Sequence, residues 1–135
     1  MAYRNSCDGV TAEQLEGGFF EGWPNPPSPA THLEILNGSD HVALAFDEST
    51  EMVVGFATAL SDGVLTAFIP LLEVLDGYRN RGIGSDLVRR VLSSIGDVYA
   101  IDLLCDADME GFYRHLGLTP SFGMSLRNYD RQSGV

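Results

Sequence analysis

The chain contains no lysine: all eight of its basic residues are arginine, set against 19 acidic residues for a formal net charge of −11. Without lysine there is no Walker loop, which closes on Gly-Lys-Ser/Thr, and the nucleoside-triphosphate enzymes built on that loop are excluded. The charge balance repels nucleic acid and anionic membranes, so neither is expected as a partner; it would draw in a cationic small molecule, though simple solubility or adaptation to salt accounts for it more readily. Cysteine is scarce as well. Cys7 and Cys105 lie far apart with no histidine at metal-ligand spacing, which argues against a disulfide framework and against a metal site, and for buried free thiols. No apolar run approaches the ~18 residues that a membrane helix needs, and the first residues lack a basic segment followed by an apolar core. A cytoplasmic protein is the expectation. Proline is concentrated in one stretch, Trp23-Pro24-Asn25-Pro26-Pro27-Ser28-Pro29, which also holds the only tryptophan. That stretch must be a loop, because proline fixes φ and removes donors. The length of 135 residues fits one domain with its own core.

What is present is organised around Phe68 to Ile95. An apolar, strand-like run ends in a short loop; two arginines and two glycines follow, and then Ile83, Leu87, Val88, Val91, Leu92 and Ile95 recur with helical period. The unit is therefore strand, loop, helix, with Gly82 and Gly84 at the helix start. Backbone N–H groups and the positive dipole end point forward from such a terminus, and glycine leaves room for an anion to approach. The dinucleotide fingerprint Gly-x-Gly-x-x-Gly fails here, because Leu87 stands at its third glycine.

Around this unit the patterning gives a mixed α/β domain. Residues 2–10 can supply a first strand, and Thr11-Ala12-Glu13-Gln14 has capping-box form, predicting a helix over 12–20. Ser28-Pro29 opens a second helix, closed at Asn37-Gly38. Strands are expected over 42–46, 52–60 and 64–74, an antiparallel meander with turns at 47–51 and 61–63. The strand at 98–105 should run parallel to the one before the central helix, since a strand–helix–strand crossover is right-handed and parallel. A helix over 108–116 and a last strand over 123–129 complete the sheet, with helices on both faces. The tail 130–135 is expected to be disordered, and the last strand is where two copies could pair as a homodimer.

Arg79-Asn80-Arg81-Gly82-Ile83-Gly84 matches the pattern Arg/Gln-x-x-Gly-x-Gly/Ala. Val53 to Leu60, the strand ending Leu72-Glu73-Val74, Ile101 to Cys105, and Gly111-Phe112-Tyr113-Arg114-His115-Leu116-Gly117-Leu118 follow in the matching order. Over residues 41 to 118 the chain resembles the GNAT superfamily of acyl-CoA-dependent N-acyltransferases. The resemblance implies the GNAT fold and acetyl-CoA as cofactor, with its pyrophosphate held by Arg79, Asn80, Arg81, Gly82, Ile83, Gly84 and Ser85. It also implies that pantetheine and the acyl group lie along Leu72 to Val74, where the parallel strands splay, and that the Val74 N–H faces the oxyanion.

Acyl transfer from a thioester to an amine needs a base for the ammonium, a donor for the oxyanion and a donor for the departing thiolate. Glu73 is a carboxylate in an otherwise apolar strand, on the face of Leu71 and Leu75 by alternation; burial would raise its pKa toward that of a useful base, and the alternative is pairing with Arg79 or Arg81. Tyr113 resembles the family's tyrosine that protonates the coenzyme A thiolate; the alternative is a core aromatic. Asp106 stands where the family commonly has asparagine against the cofactor, and Met109 where alanine is usual. Trp23 falls in a region that borders the acceptor pocket in the family, or else simply anchors its loop. The expected activity is acetyl transfer from acetyl-CoA to a primary amine of a small cationic acceptor, in a ternary complex. The rival is a non-catalytic acyl-CoA-binding or regulatory module, which Asp106 favours.

Overall fold

The computed structural model describes residues 1–135. The sheet begins at once: β1 (Ala2–Arg4) pairs antiparallel with β2 (His41–Phe46), β2 with β3 (Val53–Ser61), and β3 with β4 (Thr66–Val74). The helix α2 (Ile83–Ile95) then carries the chain back, and β5 (Ala100–Asp102) lies parallel to β4, giving the order β1-β2-β3-β4-β5. The expected meander and parallel crossover are therefore present. Their turns are built from side chains: the Asp62 carboxylate accepts from the N–H groups of Val64 and Leu65 at 2.8 Å each and of Thr66 at 3.2 Å, which turns β3 into β4.

Each sheet face has its own core. Ile83, Leu87, Val91 and Ile95 of α2 pack on Ala43, Ala45, Val54, Ala57 and Ile69. The opposite face is covered by α1 (Pro29–Gly38) and the segment before it, through Leu15, Phe20 and Leu36 against Leu44, Phe46 and Phe56. Ser28 starts α1 by accepting from the Thr31 N–H at 3.1 Å, with Pro29 at the first helical position, where a missing donor costs nothing. No helix is long and apolar enough to cross a membrane.

One strand departs from simple alternation. Between the pairs Thr58–Leu71 and Leu60–Phe68, β3 advances two residues and β4 three. The extra residue falls at Ile69-Pro70, and proline, which has no N–H for the ladder, is tolerated in such a bulge. One added residue exchanges the two faces of the strand beyond it. Ala67 and Ile69 pack toward α2 before the bulge, and Leu72 and Val74 do so after it. Glu73 is thereby turned, with Leu71, toward the α1 side.

Several expectations are corrected. The helix over 12–20 is only a 3-10 turn, Ala12–Leu15; Gln14 does accept from the Thr11 N–H at 3.0 Å, but glycines at 17 and 18 follow too soon for a helix to propagate. The strand over 98–105 shortens to Ala100–Asp102. No strand forms over 123–129, because nothing pairs with it in a single chain. The tail, expected to be disordered, makes a 3-10 turn at Tyr129–Arg131, and Gln132 accepts from the Asn25 N–H at 2.9 Å. Cys7 is half-buried and Cys105 exposed, rather than both buried. Leu75, just past the end of β4, packs on the α2-side cluster while its Cδ1 also lies against Gly17 on the Glu73 side.

His32 is 1% exposed, and its Nε2 has no hydrogen-bond partner. Its ring sits among Phe19, Phe20 and Phe56, with centroids 5.2, 5.0 and 4.3 Å away. Burial holds the imidazole neutral, pushing its pKa from 6.5 down to about 4. Above pH 6.5 folded and unfolded chains both carry a neutral ring. Below it only the unfolded chain takes up the proton, so stability should fall as pH drops from 6.5 toward 4, by roughly 3 kcal/mol at ~1.36 kcal/mol per unit. Urea unfolding across this window should show the slope, and His32→Leu should remove it.

Candidate active site

β4 and β5 pair only from Thr66–Ala100 to Phe68–Asp102. Pairing stops immediately before the bulge, so Ile69 to Val74 have no paired strand on that side. The Leu75 N–H donates to Val54 O at 2.8 Å, and by antiparallel alternation the N–H groups of Leu72 and Val74 turn away from β3 into the gap. The Val74 carbonyl points the same way and accepts from Arg79 Nε at 3.0 Å.

The loop after β4 makes a 3-10 turn, Asp76–Tyr78, tied back by the Tyr78 hydroxyl, which donates to Asp47 in the β2–β3 turn. Asn80 is left-handed at φ 62°, and Gly82, the N-cap of α2, has φ 81° and ψ 4°. No atom lies within 4 Å of the place where a Gly82 Cβ would stand. Arg79 and Arg81 flank this opening. Arg79 also reaches Asp76 at 3.3 Å, and Arg81 donates to Gly77 O at 3.1 Å with its guanidinium over the Tyr78 ring. Arg89 and Arg90, the next arginines along the chain, point elsewhere: Arg89 pairs with Asp86 at 3.7 Å, and Arg90 bonds Asn5 and lies over Tyr3 on the β1 side.

Behind the loop three motifs meet. A Cβ on Gly84 would stand 3.4 Å from the Phe112 ring of α3 (Glu110–His115) and 3.8 Å from Val74 Cγ2. Tyr113 packs edge-on against Phe112, centroids 4.9 Å apart. Partial burial, with a smaller contribution from charge on neighbouring Cys105, pushes its phenol up to about 12. Tyr113 also lines an open groove of about 1190 Å³ between β5, α3 and residues 119–127, together with Cys105 and Asp106. Asp106 is exposed, and its side chain caps nothing. Glu73 and the Arg79–Ser85 loop lie outside that groove.

On the opposite face of β4, Glu73 Oε1 accepts from the Phe20 N–H at 2.8 Å and makes no ion pair with Arg79 or Arg81. Burial raises its pKa, opposed by the Phe20 hydrogen bond and by the more distant Arg79 charge. Two features that sequence reasoning missed set this contact. Gly17 lets the backbone approach the end of β4, since a Cβ there would fall 2.6 Å from Leu75 Cδ1; and Phe20 adopts φ 64°, a left-handed conformation disfavoured for an aromatic residue. Trp23, 36% exposed, packs tilted against Phe20 with centroids 4.9 Å apart, bordering this side. Pro70 within a strand was a readable signal for the bulge; the strain at Phe20 has no sequence signal.

The chain is 50% identical to a putative acetyltransferase from Deinococcus radiodurans, with a TM-score of 0.95 over 99% of this chain and 92% of that one. It is 38% identical over 77 residues to GCN5-related N-acetyltransferase 3, chloroplastic, of Arabidopsis thaliana, covering 56% of this chain and 32% of that protein. An aminoglycoside N-acetyltransferase determined in complex with CoA shares the fold at a TM-score of 0.68 and 18% identity, over 94% of this chain and 93% of that one. The chain spans about half the length of the curated relatives it matches. The profile of the Acetyltransferase (GNAT) family matches residues 11–118, and with the splayed β4–β5 pair and the glycine-led α2, the chain belongs to that family.

Proposed function

We propose that the chain transfers an acetyl group from acetyl-CoA to the primary amine of a small cationic acceptor, by direct attack in a ternary complex. The observation that carries this reading is Glu73: a carboxylate of raised pKa with no ion-pair partner, on the face of β4 opposite α2 and its open N-terminus. An anion would sit before α2 and an amine on the Glu73 side, with the end of β4 between them.

The residues fit the cofactor. The amides of Asn80 to Ser85, with Arg79 and Arg81, would hold a pyrophosphate, and the free N–H groups of Leu72 and Val74 would pair with pantetheine as with an added strand. Acetyl-CoA bound there supplies a thioester carbonyl and a thiolate leaving group. Glu73 takes the proton from the acceptor ammonium, freeing the nitrogen lone pair to form the new C–N bond. The Val74 N–H donates to the carbonyl oxygen as negative charge gathers on it. Tyr113 donates a hydrogen bond to the sulfur as the C–S bond breaks. The net charge of −11 suits a cationic acceptor, and the two unpaired cysteines suit the reducing cytoplasm, where we place the protein.

Asp106 favours a second reading, a module that binds acyl-CoA without turnover, because its exposed carboxylate accepts but cannot donate where asparagine does both. Thermal stabilisation by acetyl-CoA, measured alongside free-thiol release over a panel of amines, separates the two. The enzyme gives stabilisation and amine-dependent release; the module gives stabilisation alone. The rate should rise with pH through a pKa above the ordinary carboxylate range, as Glu73 must be ionised to act. Glu73→Gln should abolish this limb and slow release by roughly a hundredfold or more.

A further inference from the structure

Residues 119–128 follow α3 without regular structure, yet their pattern is that of a strand. Phe122, Met124 and Leu126 alternate with Gly123, Ser125 and Arg127, and these three large apolar side chains are 94%, 87% and 98% exposed. The small face turns inward, as a Gly123 Cβ would lie 2.6 Å from Leu104 Cδ2. Both ends of the stretch are held, by α3 before it and by Gln132 on Asn25 after it. The chain thus presents a line of apolar side chains that its own core does not use.

Its complement lies beside it. β5 is the last strand of the sheet, and its outer edge has no partner. The groove of about 1190 Å³ next to it is floored by Phe68, Leu92, Val98, Ile101, Leu103 and Leu118. An open edge over an apolar floor is what an added strand covers, one face in and one face out. Charge agrees: Arg127 is the only charged residue of 119–128, and on the groove's other walls Arg114 pairs with Glu110 at 3.2 Å, which leaves Asp102 and Asp106 to face it.

We propose that two copies of this chain exchange residues 121–127, each adding this segment as a strand to the β5 edge of the other. The operation is its own inverse, so it closes as a two-fold dimer and leaves no further copy to recruit. It places Phe122, Met124 and Leu126 over a floor that neither copy covers alone. Tyr113 and Asp106 line the same groove, so the partner's segment completes one wall beside them. That last consequence rests on the proposed function; the dimer itself does not.

The test is light scattering on the full chain, without cofactor, over a wide concentration range, with hydrogen exchange on the same samples. A mass of twice 14.6 kDa is expected, with slow exchange over 121–127 and 101–103. Phe122→Asp, Met124→Asp and Leu126→Asp together should raise the dimer dissociation constant at least about a hundredfold and release that protection. These side chains touch no core within one chain, so the circular dichroism should not change; Leu126→Asp alone gives a milder version of the same result. A monomer at every concentration would overturn the proposal, and slow exchange over 121–127 in that monomer would mean that the segment folds back on its own β5. A dimer that survives the triple substitution, or one in which 121–127 exchanges freely, would overturn it equally. None of these readings depends on acetyl-CoA, so failure here leaves the acetyltransferase reading where it stands.

Discussion

Gly82→Val is expected to abolish stabilisation by acetyl-CoA while leaving a folded protein. Two effects act at this position. Gly82 has φ 81°, where any side chain strains the backbone by roughly 1–2 kcal/mol, and more when branched at Cβ. Its Cβ would also stand in space that is empty to 4 Å in front of α2, the space a pyrophosphate must enter to meet the helix N–H groups. Losing two charge-assisted hydrogen bonds at ~1.5–3 kcal/mol each would weaken binding by a hundredfold or more. The backbone cost alone is matched by Gly63→Val, in the β3–β4 turn, where φ is 74° and the space is likewise open. Calorimetric titration should find cofactor binding intact in the Gly63 variant and absent in the Gly82 variant. Equal binding in both would mean that the pyrophosphate lies elsewhere.

The parts of this protein that the sequence made legible are those in which one residue type answers one local demand. Ser28-Pro29 announced α1, Asp62-Gly63 the turn into β4, and the spacing from Ile83 to Ile95 the buried face of α2. Glu73 drew notice as a carboxylate in an apolar strand, and alternation placed it rightly beside Leu71; what alternation alone does not supply is which side of the sheet that face meets. Counting by twos from Ala67 and Ile69 puts Glu73 on the α2 face; the bulge at Pro70 reverses it. What stayed hidden depends on contacts distant in sequence. The 12–20 helix stops short at the glycines of 17 and 18, and the irregular path beyond brings the Phe20 N–H to Glu73, 53 residues away, a pairing no local pattern encodes. The strand pattern over 123–129 was legible, but a strand forms only where it meets an edge, and here the segment pairs with none.

Tyr113→Phe is expected to lower turnover ten- to a thousandfold with little change in acetyl-CoA affinity, and the raised pKa of the phenol says how. At about 12 it is fully protonated at any pH the protein tolerates, so it is always a donor. It is also a weaker acid than the thiol it would protonate, whose reference value is ~8.5. Complete transfer to the thiolate is uphill by roughly 3 to 4 units, or about 5 kcal/mol. The phenol therefore acts by hydrogen-bonding to sulfur as charge develops there, and solvent delivers the proton after the C–S bond has broken. Because that bond strengthens only as the thiolate forms, its loss should appear in kcat and leave KM for acetyl-CoA nearly unchanged. For the same reason kcat should show no alkaline limb from Tyr113 below about pH 11. Substrates with better thiol leaving groups should be slowed less by the substitution, because less charge on sulfur needs support. A Phe variant equally slow with good and poor leaving groups would mean that the hydroxyl acts elsewhere than on sulfur; unchanged turnover would mean that Tyr113 only packs against Phe112.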